Sequence, residues 1–209
     1  GRRRDLSAIA GRIDNLRSKF EELGVDAMLV TDDENRRYLS GFVGTAGYLF
    51  ITQDGAVLAT DSRYTEQAGL QAPDYRIVRI SGGLDWLKTV VRDANAERIG
   101  FEAGDMSVGF FNSIRDATKG MRPKRELVPT TALADEIRAV KEPGEVLVLT
   151  EAILIADRAM EAVGAKLRPG LTERDVAWML EQEMREGGAD ALSFDTIVAS
   201  GPNGAKPHH

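Results

Sequence analysis

The sequence predicts an α/β protein with a mostly parallel or mixed sheet, and three observations carry that prediction. Short apolar or β-branched runs alternate with helix-period segments from Ala27 to Val128. Asp54-Gly55 stands between two of those runs and marks a hairpin, because Asp-Gly supplies the positive φ such turns need. At Lys141-Glu142-Pro143-Gly144 the alternation stops and longer helical patterns follow, which places a domain boundary there.

Leu6, Ile9, Ala10, Ile13, Leu16, Phe20 and Leu23 recur in steps of three and four, one face of a helix that Gly24 ends. Ala27-Met28-Leu29-Val30 is a short apolar run fit for a buried strand, and Asp32, Asp33, Glu34 and Asn35 read as a polar loop after it. Gly41, Gly44 and Gly47 invite a phosphate-loop reading. That reading needs a helix after the glycines, and here Tyr48-Leu49-Phe50-Ile51-Thr52 follows, a strand pattern. Ala56 to Thr60 is the second arm of the hairpin. Asp61 or Ser62 is expected to cap a helix running through Glu66 and Ala68, since no histidine stands near to activate Ser62 as a nucleophile.

Tyr75 to Ile80, Ile99 to Glu102 and Arg125 to Val128 read as further strands, and Leu84 to Ala94 and Val108 to Ala117 as helices. Leu133 to Val140 makes a short helix. Pro143, tolerated in a first turn, opens a long one reaching Leu167, with Val146, Leu149, Ile153, Ala156, Met160, Val163 and Leu167 on the face expected to be buried. Thr172-Glu173-Arg174-Asp175 has capping-box spacing and starts a helix that Gly187-Gly188 ends. Glu183 and Glu186 on that helix share a face, but without a third ligand they read as solvated side chains.

Several function classes are excluded. A net charge of −6 argues against a nucleic-acid partner, and Arg2-Arg3-Arg4 is a solvated terminus. No cysteine is present, so thiolate nucleophiles, disulfides and cysteine-held metals are absent. No run approaches a membrane span and no apolar signal core stands at the N-terminus, which makes the cytoplasm the expected location.

The last stretch, Ser193 to His209, combines a strand-like run (Phe194, Thr196, Ile197, Val198) with the turn formers Ser200-Gly201-Pro202-Asn203-Gly204. It presents His208 and His209, the sole histidines of the sequence, and histidine is the side chain suited to proton transfer or metal ligation near neutral pH. Adjacent histidines are also what an affinity tag leaves behind. A strand and turn at this point have no sheet left to join, so the chain reads as interrupted within a domain.

Taken together, the parts resemble the Xaa-Pro aminopeptidase and prolidase family, metallopeptidase family M24. The resemblance rests on Arg37-Tyr38-Leu39-Ser40-Gly41-Phe42 with Gly44, on Thr60-Asp61-Ser62-Arg63-Tyr64, on the charged hinge Arg138-Ala139-Val140-Lys141, and above all on Phe194-Asp195-Thr196-Ile197-Val198-Ala199-Ser200-Gly201 running to Asn203 and Pro207-His208. It implies a creatinase-like N-terminal α/β domain with a mixed sheet at 1–132, a linker helix or hinge at 133–142, and the first part of an α+β pita-bread catalytic domain at 143–209. The implied activity is hydrolysis of the bond between an N-terminal residue and proline in a peptide.

By this likeness His208 matches the histidine that binds substrate or the developing charge. The family's ligands for two divalent metals (manganese, cobalt or zinc) lie downstream of the motif ending at His208. None is therefore expected in this chain, which by itself is expected to be inactive. The likeness further implies a homodimer, with the segment Thr31 to Thr45 contributing to a partner's site. A creatinase-like amidinohydrolase and a non-catalytic peptide- or protein-binding pita-bread module remain alternatives on the same architecture.

Overall fold

The computed structural model describes residues 6–209, and Arg2-Arg3-Arg4 lies outside them. The chain divides into two compact units, Gly1–Val140 and Lys141–His209.

The first unit runs α1 (Leu6–Arg17), α2 (Phe20–Leu23), β1 (Ala27–Val30), α3 (Asp33–Ser40), β2 (Tyr48–Thr52), β3 (Ala56–Thr60), α4 (Thr65–Gln71), β4 (Arg76–Arg79), α5 (Asp85–Asp93), β5 (Arg98–Glu102), α6 (Val108–Thr118), β6 (Glu126–Thr130) and α7 (Leu133–Ala139). The six strands form one mixed sheet in the order β4-β3-β2-β1-β5-β6. β1, β2 and β3 pair antiparallel, whereas β3 with β4, β1 with β5, and β5 with β6 pair parallel. The edges are β4, with Arg76 and Arg79 exposed, and β6, where Pro129 stands in register with Phe101.

Strand alternation divides the core between the two sheet faces. Met28 and Val30 of β1 join Leu49, Ile51 and Leu58 against Ile9, Ile13 and Leu16 of α1 and Leu39 of α3. Leu133 and Ala134 of α7 belong to this cluster. On the other face Ala27 and Leu29 join Phe50, Val57, Ala59 and Ile99 against Trp86, Leu87, Val90 and Val91 of α5 and Ile114 of α6. Tyr75 donates its buried hydroxyl to Leu39 O at 2.9 Å, and burial pushes that phenol well up.

Three local expectations are corrected in this unit. The opening helix is broken at Ser18 and Lys19, although Phe20 keeps the buried stripe going. The polar run after β1 is a helix, α3, with Asp32 as its N-cap accepting Asn35 N–H at 2.8 Å. Its inward residues include Asn35, Arg36 and Ser40, so polar side chains hide its periodicity. Asp61 caps no helix. It accepts Arg63 N–H at 2.9 Å in a local turn and pairs with the Arg63 guanidinium at 2.7 Å, while α4 starts after Tyr64.

The glycine-rich segment is set by packing. A Cβ on Gly44 would meet the Phe42 ring at 2.2 Å, and one on Gly47 would sit 3.1 Å from Ala59 O.

The second unit holds α8 (Pro143–Gly164), α9 (Glu173–Glu186) and a 3-10 turn at Gly201–Ala205. Pro143 occupies the first turn of α8 behind a Glu142/Glu145 capping box. The expected burial of one α8 face is only partly realised: Val163 is buried together with Ala159, whereas Val146, Leu149, Ile153, Met160 and Leu167 are exposed. The run from Phe194 to Val198 forms no strand, because no described strand offers its backbone a partner.

Candidate functional site

Both histidines lie in the second unit, and the loop that carries them is held from α9. Thr172 opens that helix: its hydroxyl accepts Asp175 N–H at 3.2 Å, and Asp175 Oδ2 accepts Thr172 N–H at 2.9 Å. The shorter aspartate thus serves the box in place of glutamate. At the opposite end of α9, a Cβ on Gly187 would sit 3.3 Å from Ile155 Cγ2, so glycine permits close approach of α8.

Glu173, the first residue of α9, turns its side chain to the terminal loop. Its carboxylate accepts Ser200 N–H at 2.6 Å and Asn203 Nδ2 at 3.0 Å, and His209 Nε2 stands 3.4 Å from Oε2. The hydrogen bonds from the Ser200 backbone and from Asn203 hold this carboxyl below its usual range, outweighing partial desolvation. Its place in the first turn also suits the positive end of the helix dipole. Lys206 Nζ completes the network by donating to Asn203 Oδ1 at 2.9 Å. Gly201 at φ 52° makes the left-handed bend that starts the 3-10 turn. The loop thereby fixed to α9 presents His208, exposed and at φ 55°, a conformation in which histidine is several-fold enriched among non-glycine residues.

The histidine brought to the cluster of Glu173, Ser200 and Asn203 is His209, whereas the predicted residue His208 stands exposed beside it. Sequence reasoning met Glu173 only as part of a capping motif. Its partner Ser200 is 27 residues away, and no local pattern links the two.

Elsewhere on α9, Glu183 pairs with Lys166, and Glu186 accepts from Gln182 at 2.9 Å. Among the described residues no group of three or more histidines, aspartates or glutamates is placed to hold a metal ion. The described residues do not supply a ligand set for the two divalent metals of the family.

In the first unit, Thr31 to Thr45 is built around a buried carboxylate. Glu102 accepts Thr31 N–H at 2.6 Å, Asp32 N–H at 2.9 Å and Asn35 Nδ2 at 2.8 Å. Arg138 Nη1 donates to Asn35 Oδ1 at 2.8 Å, so α7 is tied to β5 through α3. Burial pushes the Glu102 carboxyl up despite the three hydrogen bonds to it. Arg36, also buried, donates to Gly47 O at 2.9 Å and pairs with Asp33. Glu34 and Arg37 face solvent from the same helix.

Comparison with known proteins matches this architecture. The creatinase/prolidase N-terminal domain model covers residues 12–140, and the metallopeptidase family M24 model covers residues 148–209. The chain belongs to the creatinase/prolidase family. Within it, its relatives are Xaa-Pro aminopeptidases and prolidases, and its fold class is their N-terminal α/β domain followed by pita-bread sequence. The "Uncharacterized peptidase YqhT" of Bacillus subtilis is 39% identical over 94% of this chain and 55% of that protein. An Xaa-Pro dipeptidase from Bacillus anthracis superposes with a TM-score of 0.88 at 38% identity, over 96% of this chain and 55% of that one. An X-Pro aminopeptidase from Thermotoga maritima gives a TM-score of 0.80 at 33% identity, over 94% and 55%. The chain thus spans about half the length of the relatives it matches. No described helix is long and apolar enough to cross a membrane.

Proposed function

We propose that this chain is part of a cytoplasmic, metal-dependent peptidase that hydrolyses the bond between an N-terminal residue and proline, as an Xaa-Pro aminopeptidase or Xaa-Pro dipeptidase. The observation that carries the reading is the order of the two matched segments over nearly the whole chain. In this reading residues 143–209 open the catalytic domain, after a sheet domain at 1–132 and a hinge at 133–142. In the complete enzyme two divalent metals, manganese, cobalt or zinc, would supply the activated water.

His208 is the residue proposed to touch substrate. Its imidazole donates a hydrogen bond to the scissile carbonyl oxygen as charge develops there. Glu173 positions it by holding the loop through Ser200 and Asn203. Such a contact has value because the proline amide lacks the N–H that peptidases otherwise grip.

In the complete protein, manganese-dependent release of proline from Ala-Pro is expected, and His208→Ala is expected to lower kcat/KM by about 10²- to 10³-fold. An unchanged kcat/KM in that variant removes His208 from the site. The 209-residue chain alone is expected to release no proline, and measurable release overturns that part of the reading. The complete protein is further proposed to be a homodimer in which the segment Thr31 to Thr45 borders the partner's cleft. Replacing the exposed Glu34 and Arg37 by alanine then changes substrate preference, and an unchanged preference removes the segment from the site.

A further inference from the structure

We propose that the first unit carries a binding site for a small phosphomonoester between α6 and the edge strand β6. A cavity of about 400 Å³ opens there, lined by Phe111, Arg115, Thr118, Lys119, Lys124 and Arg125 together with Asp116 and Leu127. That volume lies within the roughly 300–1,000 Å³ of small-molecule sites.

Arg125 is the unusual element. It is only 8% exposed, yet its Nε and Nη1 have no hydrogen-bond partner among the described residues. The other buried side-chain nitrogen in that condition is Nε of Arg36, whose guanidinium is already compensated by Asp33 and by Gly47 O. Arg125 has no such compensation. A guanidinium does not escape burial by losing its proton, and a buried charge without a counter-charge is among the costliest arrangements in a protein interior. The one acid of the lining, Asp116, accepts from Arg115 at 3.0 Å and is thereby used.

Four cationic side chains against one carboxylate leave three positive charges in excess around the cavity. That excess suits a dianion better than a monoanion. A phosphomonoester brings about −1.5 to −2 charge at neutral pH and three strong acceptor oxygens. Phe111 and Leu127 add apolar wall for the uncharged body of the ester. None of these residues belongs to the proposed peptidase site, so the two readings stand or fall separately.

The test is titration of the 209-residue chain with phenyl phosphate at fixed ionic strength, followed by calorimetry and by backbone amide shifts. Saturable one-to-one binding is expected, with shifts concentrated between Phe111 and Leu127. Arg125→Met is expected to weaken binding by about ten- to a hundredfold. Its melting temperature is expected to hold or rise, since an unpaired buried charge has gone. Loss of binding is in this way separated from loss of fold. Benzoate, with the same ring and one charge, is expected to bind at least about tenfold more weakly. Absence of saturable binding, undiminished binding by Arg125→Met, or benzoate binding as tight as phenyl phosphate would each overturn the proposal.

Discussion

Leu29 and Phe50 in the sheet unit are essentially inaccessible, whereas Trp178 and Phe194 in the second unit are 65% and 78% exposed. Both units nevertheless have well-formed local signals. α8 and α9 each carry a complete capping box, and Pro143 sits where a first turn tolerates it. Caps mark the helix starts in the second unit, and its packing is confined to a small seam at Ala159 and Val163. A core requires apolar side chains delivered from strands and helices far apart in sequence, which the first unit achieves on both faces of its sheet.

The contrast is sharpest in truncation experiments. Phe42→Ala in the sheet unit is expected to cost about 3–5 kcal/mol in urea unfolding, because a fully buried ring is removed from a packed cluster. Ile153→Ala on α8, at a site 59% exposed, is expected to stay within about 0.5 kcal/mol. Equal costs at the two sites would erase the distinction between the units.

A smaller effect is expected at Glu102. In Glu102→Gln the new amide N–H₂ faces Asn35 Nδ2, and turning Asn35 over only moves the conflict to Arg138. A loss of about 1–3 kcal/mol follows from the donor left without an acceptor. The carboxyl has a further signature in pH. Its folded pKa is raised above the ordinary 4.5, so the folded state binds the proton more tightly, and its stability contribution is full below 4.5 and falls as pH rises through the folded value. The stability gap between wild type and Glu102→Gln is therefore expected to widen as pH is lowered from neutrality toward that value. A gap independent of pH would mean that the carboxyl is not perturbed.

The least effect is expected at Glu173, whose network is at the surface. Glu173→Gln leaves global unfolding nearly unchanged and speeds hydrogen exchange at the Ser200 amide by about tenfold. In the wild type the same protection is lost only as pH falls through the lowered folded pKa of this carboxyl. Unaltered Ser200 exchange in the variant would show that the loop is held by something else.

Most of the sheet was legible, because strands such as Ala27–Val30 and Tyr48–Thr52 are runs of apolar, aromatic and β-branched residues and the Asp54-Gly55 turn fixes their neighbour. Long range decided what was not. α3 hides its inward face behind Asn35, Arg36 and Ser40; Asn35 and Arg36 find their partners Glu102, Gly44 and Gly47 in other segments, Ser40 turns back to Arg36 O, and an apolar period has nothing to register there. The run after Phe194 has strand composition but no strand beside it. At the candidate site the rarity of His208 and His209 and the turn before them were legible, though not that His209 stands at Glu173. Glu173 was not, since its role depends on the loop folding back onto the start of α9.

The two borders of the sheet have a bearing on solubility. An open strand edge is a template on which another chain can add by backbone pairing. Here β6 carries Pro129, which has no N–H to offer a newcomer, and β4 carries two exposed arginines that a neighbouring like-charged strand would meet. Replacing Pro129 by valine would restore a donor to that border, so this sheet's resistance to edge-to-edge aggregation rests in part on a single ring.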